Sequence, residues 1–456
     1  STPLYSSAAS DVYKRQSLVS LLALLVPIQM AGQTWDDHDR SGRYTCRDFG
    51  QNYLNSMDAK GNPVIFTNGD NDTFPLWYNQ ETEGVRTDAR VCNLSYLQTD
   101  WYIDQMRRPA YDSPSLPISW TRLQYVTGTR EGIPVQPDAL QQVIDYYKDS
   151  PEDLKQMLGD NPYELKNIIR HWVLNDNPDL QIFPTDSIVV TVDKEAVKRS
   201  GMMIAADSIP DVMHISLKGK RAIYKSEMMM LEMISQANWE RPLYMSTTVG
   251  PDNYGHLGDN FVQEGLACRI TPFDTKQSGR TIDSERMYNN MMNKFKYGGL
   301  KENPDIYLDE TVIRMCYTHR RLFNQLAQQL LKEGQKDKAL KVLQRAEEEI
   351  PGSIVPHEAF YGHSLELADA WLALGHKAEA EKLLNAVGQN AKEYIEWYLS
   401  LNTQRLLQSS RECLMQIYIL NDIAKTWEPI DKKKAETYRM EVNNYASRCH
   451  QRGMSL

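Results

Sequence analysis

From Val64 to Met106 the chain reads VIFTNGDNDTFPLWYNQETEGVRTDARVCNLSYLQTDWYIDQM. Two short apolar runs, Val64 to Thr67 and Arg90 to Leu94, each empty into a polar, turn-forming segment that opens a helical pattern, Phe74 to Glu81 and then Thr99 to Met106. That order places the two strands side by side with their carboxyl ends together, about 4.8 Å apart if adjacent and parallel. Ligands of open α/β sheets bind at that edge. The loops after Thr67 and after Leu94 are therefore the first place to look for a site.

The rest of the chain extends this pattern and then abandons it. Pro109, Pro114, Pro117 and Gly128 mark loops, and three short helices follow at Asp138 to Lys148, Pro151 to Leu158 and Pro162 to Leu174. Strand signals return at Ser187 to Asp193, Val212 to Leu217, Arg241 to Thr248 and Gly265 to Thr271, with a helix at Lys225 to Gln236. Strands interleaved with helices predict an α/β domain over residues 33–310, a largely parallel three-layer sheet with a helical insertion at about 134–175. From Leu322 onward strand signals vanish. Leu326, Ala327, Leu331, Gly334, Lys336, Ala339 and Leu343 recur 41 residues later as Leu367, Ala368, Leu372, Gly375, Lys377, Ala380 and Leu384. Such a unit, helix, Gly-centred turn, helix, predicts an all-α, tetratricopeptide-like repeat domain over 311–456, with a longer link around Pro351 to Pro356.

Ser1 to Gln16 reads as a non-native leader and is set aside from the fold. Leu18 to Ile28 is an apolar run short of the ~20 residues a span needs, and residues 17–32 are expected to be the end of a transmembrane helix. A secretory signal is the rival reading, with Lys14-Arg15 before the run and Ala31-Gly32-Gln33 after it. Either way the chain after Trp35 is expected outside the cytoplasm, and the flank Asp36, Asp37, Asp39, Arg40, Arg43 lacks a basic excess. The dispersed charge, net −9, excludes a nucleic-acid footprint. Six cysteines at wide spacing, with no Cys-x-x-Cys, argue against zinc and against a disulfide scaffold, although Cys413 and Cys449 could pair in an oxidising compartment.

Asn68, Asp70, Asn71 and Asp72 cluster behind the first strand. Carboxylates at i and i+2 with Asn oxygens suit a hard cation or sugar hydroxyls, but Asp72 also stands where an N-cap would accept from a helix beginning at Thr73. Arg86 and Asp88 follow Gly84 and read either as site residues or as an ion pair in a tight loop. Asn93 leaves the second strand. Asp100 and Trp101 open the second helix, a carboxylate beside an aromatic that suits a carbohydrate platform or, alternatively, a half-buried core Trp. Asp36 to Asp39 read as a solvated turn, and Met228, Met229, Met230 and Met233 as a core stripe. His256 reads as a loop residue without triad partners. No Walker loop or dinucleotide fingerprint is present, so no cofactor is expected.

The block NGD, Trp-Tyr, EGVRTD, TDWYIDQM, preceded by WDDHDRSGRYT at Trp35 to Thr45, resembles the extracytoplasmic part of a Bacteroidetes family of multi-spanning membrane proteins. These are bacterial relatives of the animal transmembrane O-mannosyltransferases. The resemblance, from about Leu18 to the C-terminus, implies an inner-membrane protein whose soluble region is periplasmic. It also implies a polyprenyl-phosphate sugar donor and a secreted-protein acceptor. In such enzymes the catalytic acidic residue belongs to an early outside loop that this region does not include, so no catalytic residue is nominated here. Two functions follow: the acceptor-handling part of a membrane glycosyltransferase, or a non-enzymatic envelope protein that binds glycan or peptide in the crevice and a protein partner on the repeats.

Overall fold

The computed structural model describes residues 4–203 and 209–454. Leu4–His38 (α1) is one helix, continuous through residue 16. Its stretch Val12–Trp35, 24 residues with mean hydropathy 1.4, has none of its apolar window buried among the described residues. At ~1.5 Å per residue that is about 36 Å, enough for a hydrocarbon core of ~30 Å. The apolar segment read from Leu18 to Ile28 is thus the middle of a longer helix. The side chains of Asp36 and Asp37 lie outside the described residues.

Val64–Thr67 (β1), Arg90–Asn93 (β2), Gly132–Pro134 (β3), Ser187–Thr191 (β4), Val212–Ser216 (β5), Ala222–Tyr224 (β6), Leu243–Ser246 (β7), Phe261–Gln263 (β8) and Ala267–Ile270 (β9) are strands. Five form one sheet in the order β2-β1-β7-β9-β8. β1 pairs in parallel with β2, from Val64 opposite Arg90 to Thr67 opposite Asn93, and in parallel with β7 on its other side. β9 is antiparallel to both β7 and β8. The expected largely parallel sheet is corrected to a mixed one. Connection length is the cause: only Glu264, Gly265 and Leu266 separate β8 from β9, too few for the crossover that parallel pairing needs. β4 and β5, read as members of the sheet, instead pair with each other as a separate antiparallel ribbon, as do β3 and β6.

Every residue of β1, β2 and β7 is buried, as a strand covered on both faces requires. Alternation sorts their side chains into two cores. Ile65, Val91 and Tyr244 join Phe49 and Leu54 of Thr45–Ser56 (α2) and Leu76 of Asp70–Glu81 (α3). Val64, Phe66, Cys92, Leu243 and Met245 join Ile103 of Asp100–Met106 (α4) and Met228, Met229, Met230 and Met233 of Lys225–Gln236 (α5). The methionine run is therefore core. α2 crosses α3 at Gly50, where a Cβ would lie 2.3 Å from the Pro75 carbonyl oxygen. The insertion consists of Ala139–Tyr146, Pro151–Leu158 and Leu165–Ile168, the last running on as a π-helical turn, around a small core that includes Leu140, Leu158 and Trp172.

From Glu310 onward the described chain is helical: Glu310–Lys332 (α6), Lys336–Glu349 (α7), Ser364–Ala373 (α8), Lys377–Ser400 (α9), Ser410–Trp427 (α10) and Lys432–Gln451 (α11), with a short helix Thr403–Gln408 before α10. The sequence repeat has a geometric counterpart. Gly334 (φ 75°) and Gly375 (φ 83°) end α6 and α8 in the left-handed region, and Gln335 N–H to Leu330 O and His376 N–H to Trp371 O close equivalent caps. Fully buried Arg320 clasps the link between the two hairpins, donating to the carbonyls of Ile350, Val355 and Pro356 at 2.9–3.0 Å. One apolar core runs from Phe49 to Met454 without a break at residue 311. At that junction Asn52 Nδ2 meets His319 Nε2 at 2.9 Å, and burial holds the His319 imidazole down at about 3, so the ring is neutral.

Candidate functional site

The turn from β1 into α3 rests on Gly69, whose φ of 86° suits glycine. The helix begins at Asp70, which corrects the reading of Asp72 as an N-cap: Gly69 holds the cap position, and Asp72 is the third helical residue, turned inward. There it complements the positive end of the helix. Its Oδ2 accepts from the Asn68 amide (3.3 Å), Ser246 Oγ (3.1 Å) and Thr248 Oγ1 (2.8 Å). The two hydroxyls also contact each other at 2.6 Å and the Tyr53 hydroxyl at 2.9 and 3.1 Å. Burial pushes the Asp72 carboxyl above its ordinary range, against the pull of these donors. The same burial, with the Asp72 charge beside it, pushes the Tyr53 phenol up to about 12. Thr248 is solvent-exposed, so the cluster meets water at its rim while Asp72 forms its floor.

The loop after β2 is tied into the same cluster. Asn93 Nδ2 donates to Thr73 Oγ1 (2.8 Å), which donates to the Gly69 carbonyl (2.6 Å). Ser95 Oγ donates to Asn68 Oδ1 (2.5 Å), and Asn68 Nδ2 reaches Asn253 Oδ1 (3.4 Å) in the loop after β7. The carboxyl ends of three parallel strands thus share one hydrogen-bonded crevice. Tyr96, whose amide is held by Asn93 Oδ1, leads from it to a row of rings. Phe74 to Trp77 is 5.7 Å, Trp77 to Tyr96 6.2 Å with planes 11° apart, and Tyr96 to Trp101 5.9 Å. Phe74 and Trp101 are half-exposed at its two ends.

Of the residues singled out from the sequence, Asn68, Asp72 and Asn93 are brought together inside the crevice. Asp70 and Asn71 stand exposed on its rim. Since Asp70 faces solvent while Asp72 faces inward, the two carboxylates do not form a cation's ligand pair; among the described residues no group of three or more His, Cys, Asp or Glu is placed to hold a metal. Asp100 lies 3.6 Å from Arg122, which also pairs with Asp104. Trp101 joins the site through Tyr96. Arg86 and Asp88 do not belong to it. They precede β2, at its amino end, where Arg86 pairs with Asp88 and donates to the carbonyls of Leu54, Met57 and Asp58 at the end of α2. Their ion-pair reading fits this placement, with a helix terminus as the third member. His256 lines, with His214, Asp259 and Asp274, a separate cavity of about 550 Å³.

Ser246, Thr248 and Asn253 were missed. The polar carboxyl end of RPLYMSTT carried the signal for the first two, had that strand been placed beside β1. Tyr53 comes from α2 and carries no local signal. Residues 46–290 match the family model described as TMEM260-associated domain 2, more than half of the chain. The chain belongs to this family. No curated protein and no solved structure matches it. Tyr53, Asn68, Asp72, Asn93, Ser246 and Thr248 all fall inside the TMEM260-associated domain, with α1 before it and helices α6 to α11 after it. The apolar α1 and the family together associate the chain with a membrane.

Proposed function

We propose that this chain is the C-terminal, extracytoplasmic portion of a membrane glycosyltransferase-like protein, a protein O-mannosyltransferase using a polyprenyl-phosphate sugar, and that its crevice handles the acceptor. In this reading α1 is the anchor in an inner membrane, the soluble region is periplasmic, and the tetratricopeptide-like hairpins hold a secreted peptide or a neighbouring subunit. One observation carries it: three loop ends lined with hydroxyls, amides and a buried carboxylate open beside a row of aromatic rings exposed at its two ends, Phe74 and Trp101. Polar groups that grip hydroxyls and a flat apolar face against which a ring can lie are what sugars and hydroxyl-bearing peptides require.

The second reading, a non-enzymatic envelope protein that binds glycan or peptide, is favoured by the saturation of the cluster, since Asp72 Oδ2 is already filled by three donors. Calorimetry of the full chain in detergent against mannosylated and unmodified Ser/Thr peptides tests both. Binding weakened at least tenfold in Trp101→Ala and Tyr96→Ala, with melting little changed, is the expected result. Flat titrations with every peptide would end both readings of the crevice.

A further inference from the structure

Helices α10 and α11 are joined by the short turn at 428–431 and lie antiparallel along their length. At the open end of this hairpin Cys413 and Cys449 face each other, both without solvent exposure, with their Sγ atoms 3.9 Å apart. Both stand as free thiols in this structure. A bond needs the sulfurs about 2 Å closer. We propose that Cys413 and Cys449 are a disulfide site that ties the last helix of the array to its neighbour, formed by exchange with a thiol–disulfide oxidoreductase. Its operation in the cell rests on the extracytoplasmic placement proposed above.

The chemistry balances. The Cys449 thiolate attacks the oxidant's disulfide, breaks its S–S bond and forms a mixed disulfide. The Cys413 thiolate then attacks the Cys449 sulfur, forming the intramolecular bond and expelling the oxidant's second thiolate. Two electrons and the two thiol protons end on the oxidant as a dithiol. The two cysteines can exchange roles in these steps, because the burial that raises both thiols in the folded chain is not yet in place when the exchange occurs. Both sulfurs are sealed once α11 docks, so exchange takes place during folding.

The test uses the full chain. Reduced, denatured protein is refolded with oxidised glutathione, alkylated in denaturant, digested and weighed. The expected result is a Cys413–Cys449 cross-linked peptide, and a melting temperature several degrees above that of Cys449→Ala or of Cys413→Ser, a gain abolished by reductant. Refolded protein with both thiols alkylated would overturn the proposal. The same alkylation on acid-quenched cells reads the compartment: free thiols there, with the cross-link forming in vitro, would uphold the pairing and overturn the extracytoplasmic placement.

Discussion

Replacing Asp72 with asparagine separates a carboxylate kept for what it binds from one kept for the fold. The change preserves shape and one acceptor oxygen but removes the charge. Three donors converge on Oδ2, and the two hydroxyl contacts, 2.8 and 3.1 Å, are the closer ones. A hydrogen bond to a charged acceptor contributes ~1.5–3 kcal/mol against ~0.5–1.5 for a neutral one, so losing the charge costs about 1 kcal/mol or a little more at each hydroxyl. Against that stands the burial of an ion, several kcal/mol. Burial outweighs the donors, since the carboxyl is held above its ordinary range. A carboxyl raised in this way contributes stability below its unfolded pKa of ~3.9 and loses it as the pH rises through the folded value. Asp72→Asn should therefore equal or exceed the parent near neutral pH, by about 2 kcal/mol at most. The gap should close as the pH falls and the parent's carboxyl takes up its proton. Paired thermal melts from mildly acid to mildly alkaline pH, read as the difference between the two proteins, measure it. A variant less stable than the parent near neutral pH, by more than about 1 kcal/mol, would refute the reasoning: the donors would then outweigh desolvation, and Asp72 would be a structural acceptor.

Two further substitutions test the frame that holds the crevice. Arg320→Met strips three buried carbonyls of their donor and should cost about 3 kcal/mol or more in urea unfolding, at ~1–3 kcal/mol for each carbonyl left unpaired; a loss under about 1 kcal/mol would mean that the link at 351–356 holds its shape unaided. Gly50→Ala should be destabilising by about 1–3 kcal/mol, although alanine in a helix ordinarily gains ~1 kcal/mol over glycine, because its Cβ would press on the Pro75 backbone. A neutral or stabilising result would show that α2 and α3 can part without loss.

What the sequence disclosed was what local chemistry dictates. The runs Val64 to Thr67 and Arg90 to Leu94 became adjacent parallel strands because their apolar length and polar exits demand a covered strand and a turn. The insertion helices were legible from Asp and Pro at their openings, and the hairpins from the paired glycines. The pairing partners of β4, β5 and β9 were not legible. Strand direction is decided by how far the chain travels between strands, and the periodicity of Ser187 to Thr191 says nothing of that. The crevice was half visible for the same reason: Asn68, Asp72 and Asn93 lie near each other in sequence, whereas Ser246 and Thr248 arrive from more than 150 residues away. Asp72 was misplaced by three positions in the helix because Gly69 permits an earlier start than a side-chain cap would. Arg86 drew notice as a charge beside a turn, and nothing local shows that the end of α2 passes beside it.

The mixed sheet has two outer strands, and neither presents a bare ladder. Along β2 the Tyr102 hydroxyl takes the Asn93 amide at 2.9 Å and reaches the Val91 carbonyl at 3.4 Å, standing in for a missing strand. Along β8 the extended stretch at 281–283 supplies the Thr281 carbonyl and the Asp283 amide to Gln263. Unpaired edges are where sheets of separate molecules zip together. A protein tethered to a bilayer meets its own copies at high local density in two dimensions, where even a weak zipper would spread. With both margins hemmed by its own chain, this domain can crowd on a surface and remain a solitary sheet, and any meeting of copies is left to side chains.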